Sequence, residues 1–128
     1  MNMKKYGLPK NERLHSQKAI KELFDKGSSF FLYPLKVLYI QRNISESETI
    51  QVLFSVSKRK IKKAVNRNLI KRRLKETYRL NKGLLEAQAD SKMHIALIYV
   101  SSEIIEFDKI ESTVIKVLTK LNELQQES

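Results

Sequence analysis

The sequence predicts a single domain of the α/β class, on three observations. Its 128 residues suit one core and are too few for two. Two stretches alternate apolar and polar side chains with the period of a strand, and a third short run is nearly all apolar. Three further stretches carry apolar residues at helical spacing. Hydrophobic residues at 41% and charged residues at 30% match a folded globular chain. Cysteine is absent, which excludes thiolate metal sites and disulfides and fits a reducing compartment. No apolar run approaches the roughly 18 to 20 residues that span a bilayer. The N-terminal MNMKKYGLPKNERLH has lysines but no apolar region behind them, so it does not read as a secretory signal. A cytoplasmic protein without a membrane partner is expected.

Met1 to Arg13 reads as a basic arm, with Lys4, Lys5, Lys10 and Arg13 around Gly7 and Pro9, of low order until something binds it. Ser16 is a plausible N-cap for QKAIKELFDK, where Ala19, Ile20, Leu23 and Phe24 fall at helical spacing and Gly27 follows as a stop. Phe30 to Gln41 is aromatic and β-branched, and Pro34 inside it marks a break or an edge in the pairing. Along it Leu35, Val37 and Tyr39 point one way, and Lys36, Leu38 and Ile40 the other. The acidic turn from Asn43 to Glu48 leads to Thr49 to Ser57, which puts Ile50, Val52, Phe54 and Val56 on one face. The economical reading is an antiparallel pair joined by that turn.

A basic helix follows and is expected to stop at Gly83. After a linker holding Asp90 and Ser91, His94 to Val100 (HIALIYV) is apolar on both faces, as in a central buried strand parallel to one neighbour. The last helix, from about Phe107 to Leu124, aligns Ile110, Val114, Val117, Leu118 and Leu121 in one stripe.

Charge is concentrated in one place. Lys58 to Lys82 contains twelve Lys and Arg against the single acid Glu76, a net +11, which is also the net charge of the whole chain with its 25 bases and 14 acids. Everywhere else bases and acids cancel. Such a directed surface favours a polyanion. An ordinary solvated helix mixes signs so that i,i+4 pairs form, and this one leaves its like charges facing each other. At 100° per residue, Arg67, Asn68, Lys71, Arg72, Lys75 and Arg79 fall in a sector of roughly 140°, opposite Leu69, Ile70, Leu74 and Thr77. Arg73 falls on the apolar side and needs a partner or a route to solvent.

Catalytic constellations are not visible. His15 and His94 are distant in sequence, and neither has metal-ligand spacing with another ligand. There is no Gly-rich phosphate loop, with only three glycines, and no Ser or Thr with an evident base. Any chemistry is expected from another molecule.

The segment SVSKRKIKKAVNRNLIKRRLKE resembles the signature of the bacterial ribonuclease P protein component, approximately A-V-x-R-N-x-x-K-R-x-x-R-E. Ala64, Val65, Arg67, Asn68, Lys71, Arg72 and Glu76 meet it. The Arg13-Leu14 start, the helix ending at Gly27, the strands and the last helix follow the family's order. The resemblance implies a two-layer α/β (α+β) sandwich, a small mixed sheet packed with helices, with a left-handed βαβ crossover that general rules would not supply.

It also implies a function: a non-catalytic subunit of an endoribonuclease that binds the ribonuclease P catalytic RNA and precursor tRNA. The particle removes the 5′ leader, the RNA and its Mg²⁺ carrying the hydrolysis. Carried over by position, Arg67, Asn68, Lys71, Arg72 and Lys75 face RNA, with Lys58, Arg59 and Lys60 in the turn before them. A leader cleft between the first helix and the sheet is placed at Ile20, Phe24, Val37 and Tyr39, where rings stack on unpaired bases. Ile20 stands where the family often has an aromatic ring, and Lys75 keeps the charge but loses the fork of the usual arginine. The family's glycine before Ala64-Val65 is missing here.

The charge pattern by itself fits a general RNA-binding or ribosome-associated protein equally well. DNA recognition is not expected, because Lys58 follows a strand and no helix-turn-helix pair precedes the basic helix.

Overall fold

The computed structural model describes residue 8 and residues 10–42, 50–86 and 92–126. Among the described residues four strands form one sheet: β1 (Ser28–Leu32), β2 (Leu35–Arg42), β3 (Gln51–Val56) and β4 (Lys92–Tyr99). Their spatial order is β1-β2-β4-β3. β2 pairs antiparallel with β1 and with β4, while β3 and β4 run parallel. The helices are α1 (Gln17–Lys26), α2 (Ala64–Asn81), the single turn α3 (Gly83–Glu86) and α4 (Phe107–Gln126). The acidic turn and the linker with Asp90 and Ser91 lie outside the described residues.

β4 is central because both its faces are apolar. Ile95, Leu97 and Tyr99 enter the core under the helices, and Ala96 enters a smaller core under α1. This placement corrects the expected hairpin of the two alternating runs: β4 lies between β2 and β3. The hairpin is instead β1–β2, turned at the cis Tyr33–Pro34 bond, where a residue without an N–H costs no ladder bond. Joined through α2 and α3, parallel β3 and β4 make a βαβ unit.

One face of the sheet carries the main layer. Ile70, Leu74 and Tyr78 of α2 and the full stripe of α4 pack on Val37, Val52, Phe54 and Leu97, with the Phe54 and Tyr78 rings edge to face at 5.9 Å. Arg73 is not a misfit there: its Nη1 donates to the Ile105 carbonyl at 2.6 Å. On the opposite face α1 seats Leu23 against Leu14, Leu38 and Ala96. The Ser16 hydroxyl caps α1 by accepting from the Ala19 amide at 3.2 Å.

The glycines act differently from a left-handed stop. Gly27 caps α1 in extended backbone, and a β-carbon on it would lie 2.5 Å from the Leu23 carbonyl oxygen and 3.0 Å from that of Tyr39. Its role is close approach of helix and strand. Gly83 begins α3 rather than terminating α2, whose C-cap is Lys82 in right-handed conformation. Residues 10–13 of the expected basic arm pack on the domain. Lys10–Glu12 form a 3₁₀ turn, the Leu14 amide donates to the Val52 carbonyl at 3.0 Å, and Lys82 Nζ meets Glu12 Oε1 at 2.6 Å.

Candidate nucleic-acid interface

The interface is built on the turn and first helical turns after β3. The Ile61 amide donates to the Ser57 carbonyl at 3.0 Å, and the Ile61 side chain is buried in the main core, so the turn is pinned from below. Lys58, Arg59 and Lys60 are thereby held outward and exposed. Lys63 is the N-cap of α2, without a side-chain cap, and no acid occupies the first turn. The unsatisfied amides at that end add their own positive potential to the lysines.

Asn68 and Arg72 are exposed, and Lys71 and Lys75 half-buried, on the side of α2 away from Ile70 and Leu74. Lys71, Arg72 and Lys75 form no ion pair among the described residues. Lys71 and Lys75 share a cavity of about 340 Å³ with Lys10, Arg13 and His15, floored by Leu14, Val52, Leu53 and Phe54. Bringing the segment from Lys10 to His15 to α2 is what the sequence reading missed. Only the Arg13-Leu14 match hinted at it, since the bridge from Arg13 to Val52 is a long-range pairing.

Not every cation of the segment faces outward. Arg67 Nη1 donates to the Ile61 and Lys62 carbonyls at 2.9 and 2.8 Å, tying the turn to the helix. Arg79 forks onto Glu76, with Nε to Oε1 at 3.1 Å. Hydrogen bonding from Arg79 holds the Glu76 carboxyl below its ordinary pKa. That pair's stabilisation is complete above the ordinary carboxylate range and is lost as the pH falls through the lowered value.

Arg67→Ala is therefore expected to cost stability as well as RNA affinity, about 1–2 kcal/mol for two charged-donor hydrogen bonds. Thermal unfolding beside Arg72→Ala, which removes an exposed side chain, checks it: the midpoint falls for the first and holds for the second.

The proposed cleft residues are divided between two faces. Ile20 is half-buried in the α1 core and Phe24 is 50% exposed. Val37 is 0% exposed inside the main core, and Tyr39 packs against that same core, its ring 5.9 Å from Phe30. Neither reaches α1. The side chains of β2 on the α1 side are Lys36, Leu38 and Ile40, of which Leu38 and Ile40 join the α1 core. A strand reverses face at every residue, so the β2 side chains beside α1 have the parity of Leu38. Lys36 was the available signal, because a lysine within the alternation marks the more open face.

Among the described residues no three of His, Cys, Asp and Glu come together in a way that holds a metal ion. His15 is exposed beside α1 and His94 is buried in β4. No helix among the described residues is long and apolar enough to cross a membrane.

Known proteins share both sequence and fold. A family model described as Ribonuclease P matches residues 8–122. The ribonuclease P protein component of Porphyromonas gingivalis is 35% identical over 119 residues, covering 91% of this chain and 87% of the relative. That of Chlorobium phaeobacteroides is 35% identical over 105 residues, covering 73% and 71%. The Staphylococcus aureus RNase P protein superposes with a TM-score of 0.70 at 22% identity over 85% of this chain and 94% of that one. The Thermotoga maritima RNase P protein gives 0.69 at 21% identity over 85% and 96%; these two likenesses are of fold. A family match across nearly the whole chain, the signature residues along α2, and a four-stranded mixed sheet with its helices together establish that this chain belongs to the ribonuclease P protein family.

Proposed function

We propose that the chain binds the catalytic RNA of ribonuclease P through α2 and its lead-in turn, and the 5′ leader of precursor tRNA through the face under α1. As a ribonuclease P protein component it serves tRNA 5′ maturation. The observation that carries the proposal is the cationic surface of Lys58, Arg59, Lys60, Lys71, Arg72 and Lys75, without an ion pair among the described residues and set on an element anchored by the burial of Ile61, Ile70 and Leu74. Arginine forks onto phosphate, lysine supplies point charge, and Asn68 donates and accepts. The RNA holds Mg²⁺ and carries out the hydrolysis, and the protein's cations lower the phosphate repulsion that Mg²⁺ must otherwise screen. The whole chain acts as one RNA-binding domain, in the cytoplasm with its RNA partners.

The test is reconstitution: a bacterial ribonuclease P RNA and a precursor tRNA at low Mg²⁺, where the RNA alone is nearly inactive, with and without this protein. Restored cleavage at the mature 5′ end is expected. Tight RNA binding without restored cleavage would sink the proposal in favour of a general RNA-binding protein.

A further inference from the structure

Phe31 is a large ring that the fold leaves in water. Its neighbour Phe30 turns into the main layer, 5.9 Å from Tyr39 and with Lys120 Nζ 5.3 Å from its centroid. Strand alternation therefore sends Phe31 to the α1 side, where it is 55% exposed on the outer strand. Its register partner across the hairpin is Lys36, also exposed, and the next pair on the same face is Ser29 with Leu38, which packs with α1. Ring and cation thus stand side by side at the margin of the α1 cleft, one strand spacing of about 4.8 Å beyond β2.

The ring is also braced. Tyr33 lies edge-on to Phe31 at 6.4 Å, and its hydroxyl is hydrogen-bonded to Ser101 Oγ at 2.7 Å. A ring already held loses less rotamer freedom when a base stacks on it. Beside Tyr33 a cavity of about 360 Å³ is lined by Glu103, Glu106 and Lys109; two acids against one base leave it net negative, a poorer place for a phosphate chain than the Lys36 side.

We propose that Phe31, braced by Tyr33 and paired with Lys36, is a stacking subsite for an unpaired nucleotide of the leader, extending the cleft outward to β1. Phe31 supplies the stacking face and Lys36 the phosphate contact, a combination that tolerates any base. The inference rests on the leader-binding reading above. A second copy of the chain is the less favoured occupant, since it would bring another strongly cationic chain against Lys36.

The experiment measures the affinity of the reconstituted holoenzyme for precursor tRNAs whose leaders lengthen one nucleotide at a time, with mature tRNA as reference. Wild type, Phe31→Ala, Phe31→Tyr and Lys36→Gln are compared. Wild-type affinity is expected to rise with leader length. Phe31→Ala loses about tenfold once the leader reaches the subsite and nothing for mature tRNA, and Phe31→Tyr retains the wild-type profile. Lys36→Gln flattens the salt slope for long leaders by about 0.7. A Phe31→Ala series that follows a length-dependent wild type overturns the subsite and leaves the cleft standing, as does an equal loss on mature tRNA. A wild-type series without length dependence removes the leader reading itself. Loss of self-association by Phe31→Ala with leader binding intact makes this face an interface between copies and overturns the proposal.

Discussion

Replacing Lys71, Arg72 and Lys75 together by alanine is expected to flatten the slope of log K against log salt for the catalytic RNA by about 2 to 3, at each neutralised phosphate's share of 0.7 to 0.9. The same triple variant is expected to unfold close to the wild-type temperature. The three side chains form no ion pair among the described residues, and Lys71 and Lys75 repel at i,i+4. Alanine also has the highest helix propensity. The scaffold gives up only the packing of the half-buried Lys71 and Lys75 stems beside Leu14, Val52, Leu53 and Phe54. Binding across a salt series, with circular-dichroism melts alongside, separates the two effects. An unchanged slope would place the RNA on another surface, and a large fall in melting temperature would make these cations structural.

Leu74→Ala is expected to do the reverse. Leu74 lies between Arg73 and Lys75 in sequence, yet it is 0% exposed in the core beneath α2. Truncating it removes buried methyl groups and leaves a cavity, for a cost of about 2–5 kcal/mol. A domain of this size has about 5–15 kcal/mol in total, so the urea midpoint falls by a large fraction. The folded protein still presents Lys71, Arg72 and Lys75, and its salt slope stays at the wild-type value. A destabilisation under about 1 kcal/mol would mean that α2 is not anchored through this residue.

The contrast between these neighbours shows what was legible in the sequence. Helical spacing put Ile70, Leu74 and the α4 stripe inward, and they are buried; of the cations it put outward, Arg72 is exposed while Arg67 and Arg79 are half-buried against partners. The run HIALIYV declared a central strand by being apolar on both sides, and β4 is central. Strand order was not legible, because whether β3 neighbours β2 or β4 is decided by pairing between distant residues. The faces of β2 were read correctly, but α1 was assigned to the wrong one. Aromatic identity drew attention to Tyr39, whereas the helix lies over Leu38. Arg67, Arg73 and Arg79 look alike in a charge count. The carboxylate of Glu76 lies at i,i+3 from Arg79 on the same helix, but the carbonyls of Ile61, Lys62 and Ile105 that hold Arg67 and Arg73 are set by loops whose path periodicity does not describe.

The position of β4 has a consequence for how the chain matures. Val56 pairs with Tyr99 across the whole of α2 and α3, and β2 reaches its second neighbour only through the same strand. As the chain leaves the ribosome from its N-terminus, the hairpin, β3 and the whole cationic helix appear before the strand that joins them. Until then there is no sheet to bury Ile70 and Leu74. Closure of so long a segment makes folding a late, concerted event of the finished chain, slower than local helix formation. In that interval the most highly charged part of the molecule is synthesised ahead of the scaffold that gives it shape.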